Sequence, residues 1–73
     1  MMVTKESIRI ILNRYFPAGI DVRTTQFLMK RGITEEQLKF CRDNGILSLK
    51  DNHGSWVYQI MPNGIKLRDK ISN

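Results

Sequence analysis

The chain is poor in the residues that staple small proteins together or perform chemistry. Among its 73 residues there is one cysteine, Cys41, and one histidine, His53. A lone cysteine cannot close an internal disulfide, so the fold must rest on apolar packing, as expected for a reducing compartment. One Cys and one His also fall short of a closed zinc site, which needs about four ligands, and no metal is expected. Acid-base or nucleophilic catalysis needs groups that converge in a pocket. Here the histidine falls in a predicted loop tip and the cysteine on a predicted buried stripe, so neither an enzyme nor a cofactor site is expected. No apolar run is long enough to cross a bilayer, and the N-terminus lacks the apolar stretch and small-residue cleavage site of a secretory signal. The expected location is therefore cytoplasmic. The predicted first helix lacks the bulky aromatic side of an interfacial helix, so no membrane partner is expected either.

What is present describes an ordinary globular domain. With 41% hydrophobic and 26% charged residues the chain can build one small core, and residues 1–73 read as a single domain. Twelve Lys and Arg oppose seven Asp and Glu, a formal charge of +5, which favours polyanionic partners without naming one. There is no internal repeat, linker or low-complexity segment.

Periodicity then divides the chain. Thr4 can cap a helix whose apolar positions Ile8, Ile11, Leu12 and Tyr15 share one face, and Pro17 with Gly19 should end it close to Tyr15. Asp21 is the expected cap of a second helix that carries Phe27 and Leu28 inward, with Lys30 and Arg31 in its last turn and Gly32 as its left-handed exit. A third helix follows almost at once. Thr34 and Gln37 have capping-box spacing, flanked by Ile33 and Leu38 at the positions of a hydrophobic staple. Glu35 and Glu36 fall in its first turn, where the helix dipole stabilises carboxylates, and Asn44-Gly45 closes it. Two helices joined this tightly form a helix-turn-helix.

From Ile46 the period changes to two. Leu47 and Leu49 alternate with Ser48 and Lys50, "DNHGS" turns the chain, and Trp56, Tyr58 and Ile60 alternate with Val57 and Gln59, which predicts a β-hairpin. "MPNGIKLRDKI" reads as a short last helix, with Pro62 suited to its first turn and Leu67 and Ile71 on one side.

The predicted class is thus α+β: a three-helix core, a two-stranded hairpin and a short C-terminal helix. That order resembles the winged helix-turn-helix family. "LKFCRDNGIL" resembles the end of the recognition helix in many winged-helix repressors, through Leu38, Cys41, Gly45, Ile46 and Leu47. "YQIMPNGIKL" resembles the "Y-x-L-T-x-x-G-x-x-L" that follows the wing in PadR-like and MarR-like regulators, through Tyr58, Ile60, Gly64 and Leu67. Met61 stands where that pattern usually carries a capping threonine.

The resemblance implies a DNA-binding transcriptional regulator whose third helix enters the major groove of double-stranded DNA, working as a homodimer because one such domain covers a half-site. With Leu38 and Cys41 inward, about 100° per residue turns Glu36, Lys39, Phe40 and Asp43 outward, flanked by Gln37 and Arg42. Gln37, Lys39 and Arg42 have donors for bases or phosphates, and Phe40 could touch a thymine methyl. Arg23, Thr24 and Thr25 are the expected backbone contacts, and Lys50 and His53 are those of the wing. The wing tip reads equally well as a solvated turn. For Phe40 the alternatives are a pocket on a protein partner or a place under the wing beside Trp56. The acidic, aromatic third helix carries a second reading of the whole chain, a winged-helix module that binds a protein through Phe40, Glu36 and Asp43.

Overall fold

In the computed structural model, which describes residues 2–70, the first helix α1 (Lys5–Tyr15) starts and stops where its sequence signals stand. Thr4 Oγ1 accepts from the Ser7 amide at 3.1 Å, and Ser7 Oγ accepts from the Thr4 amide at 3.2 Å, so a serine completes the capping box. Ile8 and Leu12 are fully buried, while Ile11 and Tyr15 sit half-buried at the edges of the stripe.

The next segment departs from expectation. Asp21 does not cap a helix; Val22–Thr24 form a strand, β1, and the second helix α2 (Thr25–Lys30) starts three residues later under a Thr24 cap. Val22 and Thr24 are β-branched and so favour extended backbone, and an open strand edge lies beside them. Val22, Arg23 and Thr24 pair with Gln59, Tyr58 and Val57 of a later strand. The sheet is therefore three-stranded rather than two-stranded.

Helix α2 and the third helix α3 (Glu35–Asp43) end on the same device. After α2, the Gly32 and Ile33 amides donate to the carbonyls of Met29 and Leu28; after α3, the Gly45 and Ile46 amides donate to those of Arg42 and Cys41. Both are Schellman motifs. Gly32 and Gly45 supply the positive φ, 90° and 66°, and Ile33 and Ile46 turn inward beside Leu28 and Cys41. The Thr34–Gln37 capping box forms as its spacing predicts, with Gln37 Oε1 accepting from the Thr34 amide at 2.8 Å.

Strands β2 (Leu47–Asn52) and β3 (Ser55–Ile60) make the predicted hairpin, and the sheet order β1-β3-β2 puts β3 in the centre, antiparallel to both neighbours. Only His53 and Gly54 link the two strands, at φ 55° and 87°. Positive φ at both linking residues is the type I′ geometry that matches strand twist. The last helix, α4 (Pro62–Asp69), starts without a side-chain cap at Met61 and lies along α1. Arg68 Nη1 donates to the Phe16 carbonyl at 3.0 Å, and Asn13 Nδ2 donates to the Arg68 carbonyl at 3.3 Å. The expected pairing of Leu67 with Ile71 involves a position outside the described residues.

The core gathers Ile8, Leu12 and Phe16 of α1 and its exit, Leu28, Ile33, Leu38, Cys41 and Ile46 of the helical pair, and Leu47, Tyr58 and Ile60 of the sheet. The outer half of the hairpin lies beyond it. Trp56 is 56% exposed although it shares its face with the buried Tyr58 and Ile60, and Val57, with which they alternate, is 7% exposed.

Candidate binding surface

Of the residues expected to meet DNA, Thr24 and Thr25 line one hollow, Thr25 and Arg42 a second, and Lys39 and Phe40 a third. Arg23 is occupied inside the fold: its Nε donates to the Tyr15 carbonyl at 2.8 Å and its guanidinium lies 4.5 Å from the centre of the Phe27 ring. Arg31 covers the same ring at 4.8 Å, and Tyr15 meets it edge-on at 6.2 Å. Thr24 spends its hydroxyl on the cap of α2, accepting from the Phe27 amide at 3.0 Å, and Gln37 spends its amide oxygen on the cap of α3. Lys50 and His53 are exposed at the outer hairpin, with Asp51 beside them accepting from the Gly54 amide at 3.0 Å.

On α3 the charges are matched against each other. Lys39 Nζ stands 2.8 Å from Asp43 Oδ2, and Arg42 Nη2 stands 2.9 Å from Glu35 Oε1. Arg42 also donates to the Tyr58 hydroxyl across to the sheet. Its hydrogen bond to Glu35 is the main reason the guanidinium pKa is raised, with Tyr58 adding to it. Burial pushes the Tyr58 phenol up, and Arg42 partly opposes that shift. Glu36 has no ion-pair partner among the described residues, so the outward side of α3 carries a net negative charge.

Phe40 follows neither expectation in full. It is half-buried against the core edge and lines a shallow hollow with Met2, Val3, Glu36, Lys39 and Asp43, away from Trp56. Two positions along a helix turn a side chain by about 200°, so when Arg42 reaches the sheet Phe40 must face the other flank.

Trp56 stands between two hollows. One, of about 640 Å³, is lined by Thr24, Thr25, Gln26, Met29, Lys30, Gly54 and Ser55 together with Trp56. The other, of about 340 Å³, is lined by Thr25, Glu35, Arg42, Leu49 and Tyr58 together with Trp56. The register explains the gathering: Leu49 pairs with Tyr58 and Asp51 with Trp56, so these side chains share the sheet face turned toward α3. Met29 is 49% and Leu49 39% exposed, which makes the Trp56 indole the centre of an apolar patch rimmed by Lys30, Arg42 and Glu35. Thr25 Oγ1, common to both hollows, is buried and has no hydrogen-bond partner among the described residues.

Sequence periodicity missed this patch because alternation puts Trp56 on one face with Tyr58 and Ile60, and Leu49 with Leu47, without saying how far along the strands that face is covered. The usable signal was distance from the turn. Trp56 is two residues past Gly54, and a hairpin with a two-residue link projects its tip beyond the helices that could cover it.

Cys41 is buried and its thiol is pushed up to about 12 by that burial, so it is no nucleophile at neutral pH. No group of three or more His, Cys, Asp or Glu able to hold a metal occurs among the described residues, and no helix among them is long and apolar enough to cross a membrane. The chain matches no protein-family model, no curated protein and no solved structure.

Proposed function

We propose that the chain is a winged-helix interaction module whose binding face is the Trp56-centred surface between the hairpin, α2 and α3, and whose partner is a protein. The winged-helix part of the reading is supported by the element order, helix, strand, two tightly joined helices, hairpin, helix, and by the central place of β3. The partner class is carried by one observation: the exposed Trp56, Met29 and Leu49 form the contiguous apolar patch, while the cations of α3 are spent on carboxylates of the same helix. Tryptophan, methionine and arginine are the residues enriched at protein interfaces, and a central aromatic anchor with a polar rim is their usual arrangement. With a net charge of +5 and Lys30 on the rim, the complementary segment carries an apolar anchor flanked by carboxylates.

The second reading, a regulator of double-stranded DNA, is favoured by the same element order and by the net positive charge. The exposed Lys39–Asp43 pair does not oppose it strongly, since breaking such a pair costs about 0.5 kcal/mol. The excess carboxylate on α3 does oppose it, because phosphates flank both sides of any groove the helix enters.

One set of titrations separates the two readings. Peptides selected on the intact protein from a random library should bind Trp56→Ala roughly thirtyfold more weakly, about 2 kcal/mol, with Lys39→Glu unchanged. A random-sequence duplex should leave the emission of this only tryptophan unaltered even at low salt. Duplex binding that is abolished by Lys39→Glu, with a salt slope of about 0.9 per phosphate contact, would make DNA the partner and defeat the first reading.

A further inference from the structure

A fourth hollow, of about 440 Å³, opens between α1, α4 and the end of α3, and shares no lining residue with the Trp56 surface. Three lysines face it: Lys5 from the first position of α1, and Lys66 and Lys70 from α4 and its C-cap. Among the described residues none of the three makes an ion pair and no carboxylate lines the hollow. The nearby Glu6, which feels the charge of Lys70, is held by Arg9 through hydrogen bonds of 2.8 and 3.3 Å. Asn44 and Asn63 add amides, the Asn44 nitrogen being spent on the Phe40 carbonyl at 2.8 Å, and Ile46 and Leu67 supply apolar wall.

Helix electrostatics do not account for this gathering. Cations in the last turn of α4 complement its dipole, but a lysine opening α1 stands at the end the dipole disfavours. Lys66 and Lys70 are also four apart, an arrangement in which like charges repel along one face. Three ammoniums without an ion pair among the described residues, set around one concave, partly apolar wall, focus a positive potential that an anion relieves.

We propose that this hollow binds a small phosphate-bearing ligand, its phosphate chain held between Lys5, Lys66 and Lys70 and its flat apolar body resting on Ile46 and Leu67, as a nucleoside polyphosphate would. Asn44 and Asn63 have the acceptors and donors to meet the polar edge of that body. The proposal is independent of the partner assigned to Trp56.

Calorimetric titration of the intact protein at low salt, with ATP and inorganic triphosphate as probes, tests it. Both should bind, ATP the more tightly, and Lys66→Gln/Lys70→Gln should weaken both by at least roughly tenfold with an unchanged thermal midpoint, because both side chains are exposed. Absence of heat with either probe overturns the proposal, as does equal binding by the double variant. A short duplex that binds through these lysines while neither small probe does so overturns it too, and assigns the hollow to a nucleic-acid backbone.

Discussion

Gly64 shows what a single position can demand. A Cβ placed there would lie 2.8 Å from Ile60 Cγ1 and 3.2 Å from the Ile46 carbonyl carbon, so α4 can approach the start of β2 only over a glycine. Gly64→Ala should therefore lower stability by about 2–3 kcal/mol, read as a shift in the urea midpoint at constant slope. Cys41 makes a different claim at the same scale. Its folded pKa is raised from 9.0 to about 12 by burial, so both folded and unfolded states keep the proton below 9 and only the unfolded state releases it above. That stability is fully present below pH 9 and is lost as pH climbs toward 12; Tyr58, also raised by burial, acts in the same direction. Cys41→Ala should cost about 1 kcal/mol at neutral pH, and the gap between the two proteins should narrow through that alkaline window in denaturant titrations. At this scale the core positions were legible because periodicity reports them: Leu38 and Cys41 are inward as their spacing requires. The fates of Arg23 and Arg42 were not legible. Whether a guanidinium serves a phosphate or a carbonyl, hydroxyl and carboxylate of its own chain depends on contacts seven to sixteen residues away, which no local spacing encodes.

At the scale of elements, caps and exits carried most of the readable signal. Thr4 and Thr34 begin α1 and α3 where they were expected, and Gly32 and Gly45 end the helices they follow. Thr34→Ala removes the acceptor at 3.1 Å from the Gln37 amide and should cost about 1 kcal/mol in thermal unfolding, with no change in hairpin pairing by NMR. Strand β1 escaped the sequence because three residues offer too little alternation to register, and their extended state is decided by pairing with β3, more than thirty residues on. Asp21 looked like a cap for the same reason: capping preference is local, while the Val22–Thr24 strand is a tertiary outcome. The hairpin turn was legible as a turn, but not as one that holds His53 at φ 55°, a conformation in which asparagine is the more usual non-glycine residue. His53→Asn should raise stability by about 0.5 kcal/mol, measured by thermal unfolding.

For the whole molecule, the decisive feature is how charge and apolar surface are distributed, not their totals. The formal +5 does not collect on α3, where Glu35, Glu36 and Asp43 outnumber Lys39 and Arg42; Lys5, Lys66 and Lys70 line one hollow together. Three exposed apolar side chains, Met29, Leu49 and Trp56, line the hollows on either side of the indole, while Ile10 of α1 and Ile65 of α4 are exposed on other elements. With 5003 Å² of accessible surface, an interface of about 800 Å² per partner would take roughly one sixth of the molecule, so both surfaces can be occupied together. The most direct test of the central claim is amide and indole chemical-shift mapping of the labelled protein, titrated with a library-selected peptide and separately with a random duplex. The account predicts peptide-induced shifts concentrated at Thr25, Met29, Leu49 and the Trp56 indole, with α3 silent toward DNA. Duplex-induced shifts at Glu36, Lys39 and Asp43, with the Trp56 surface unmoved by any peptide, would contradict it.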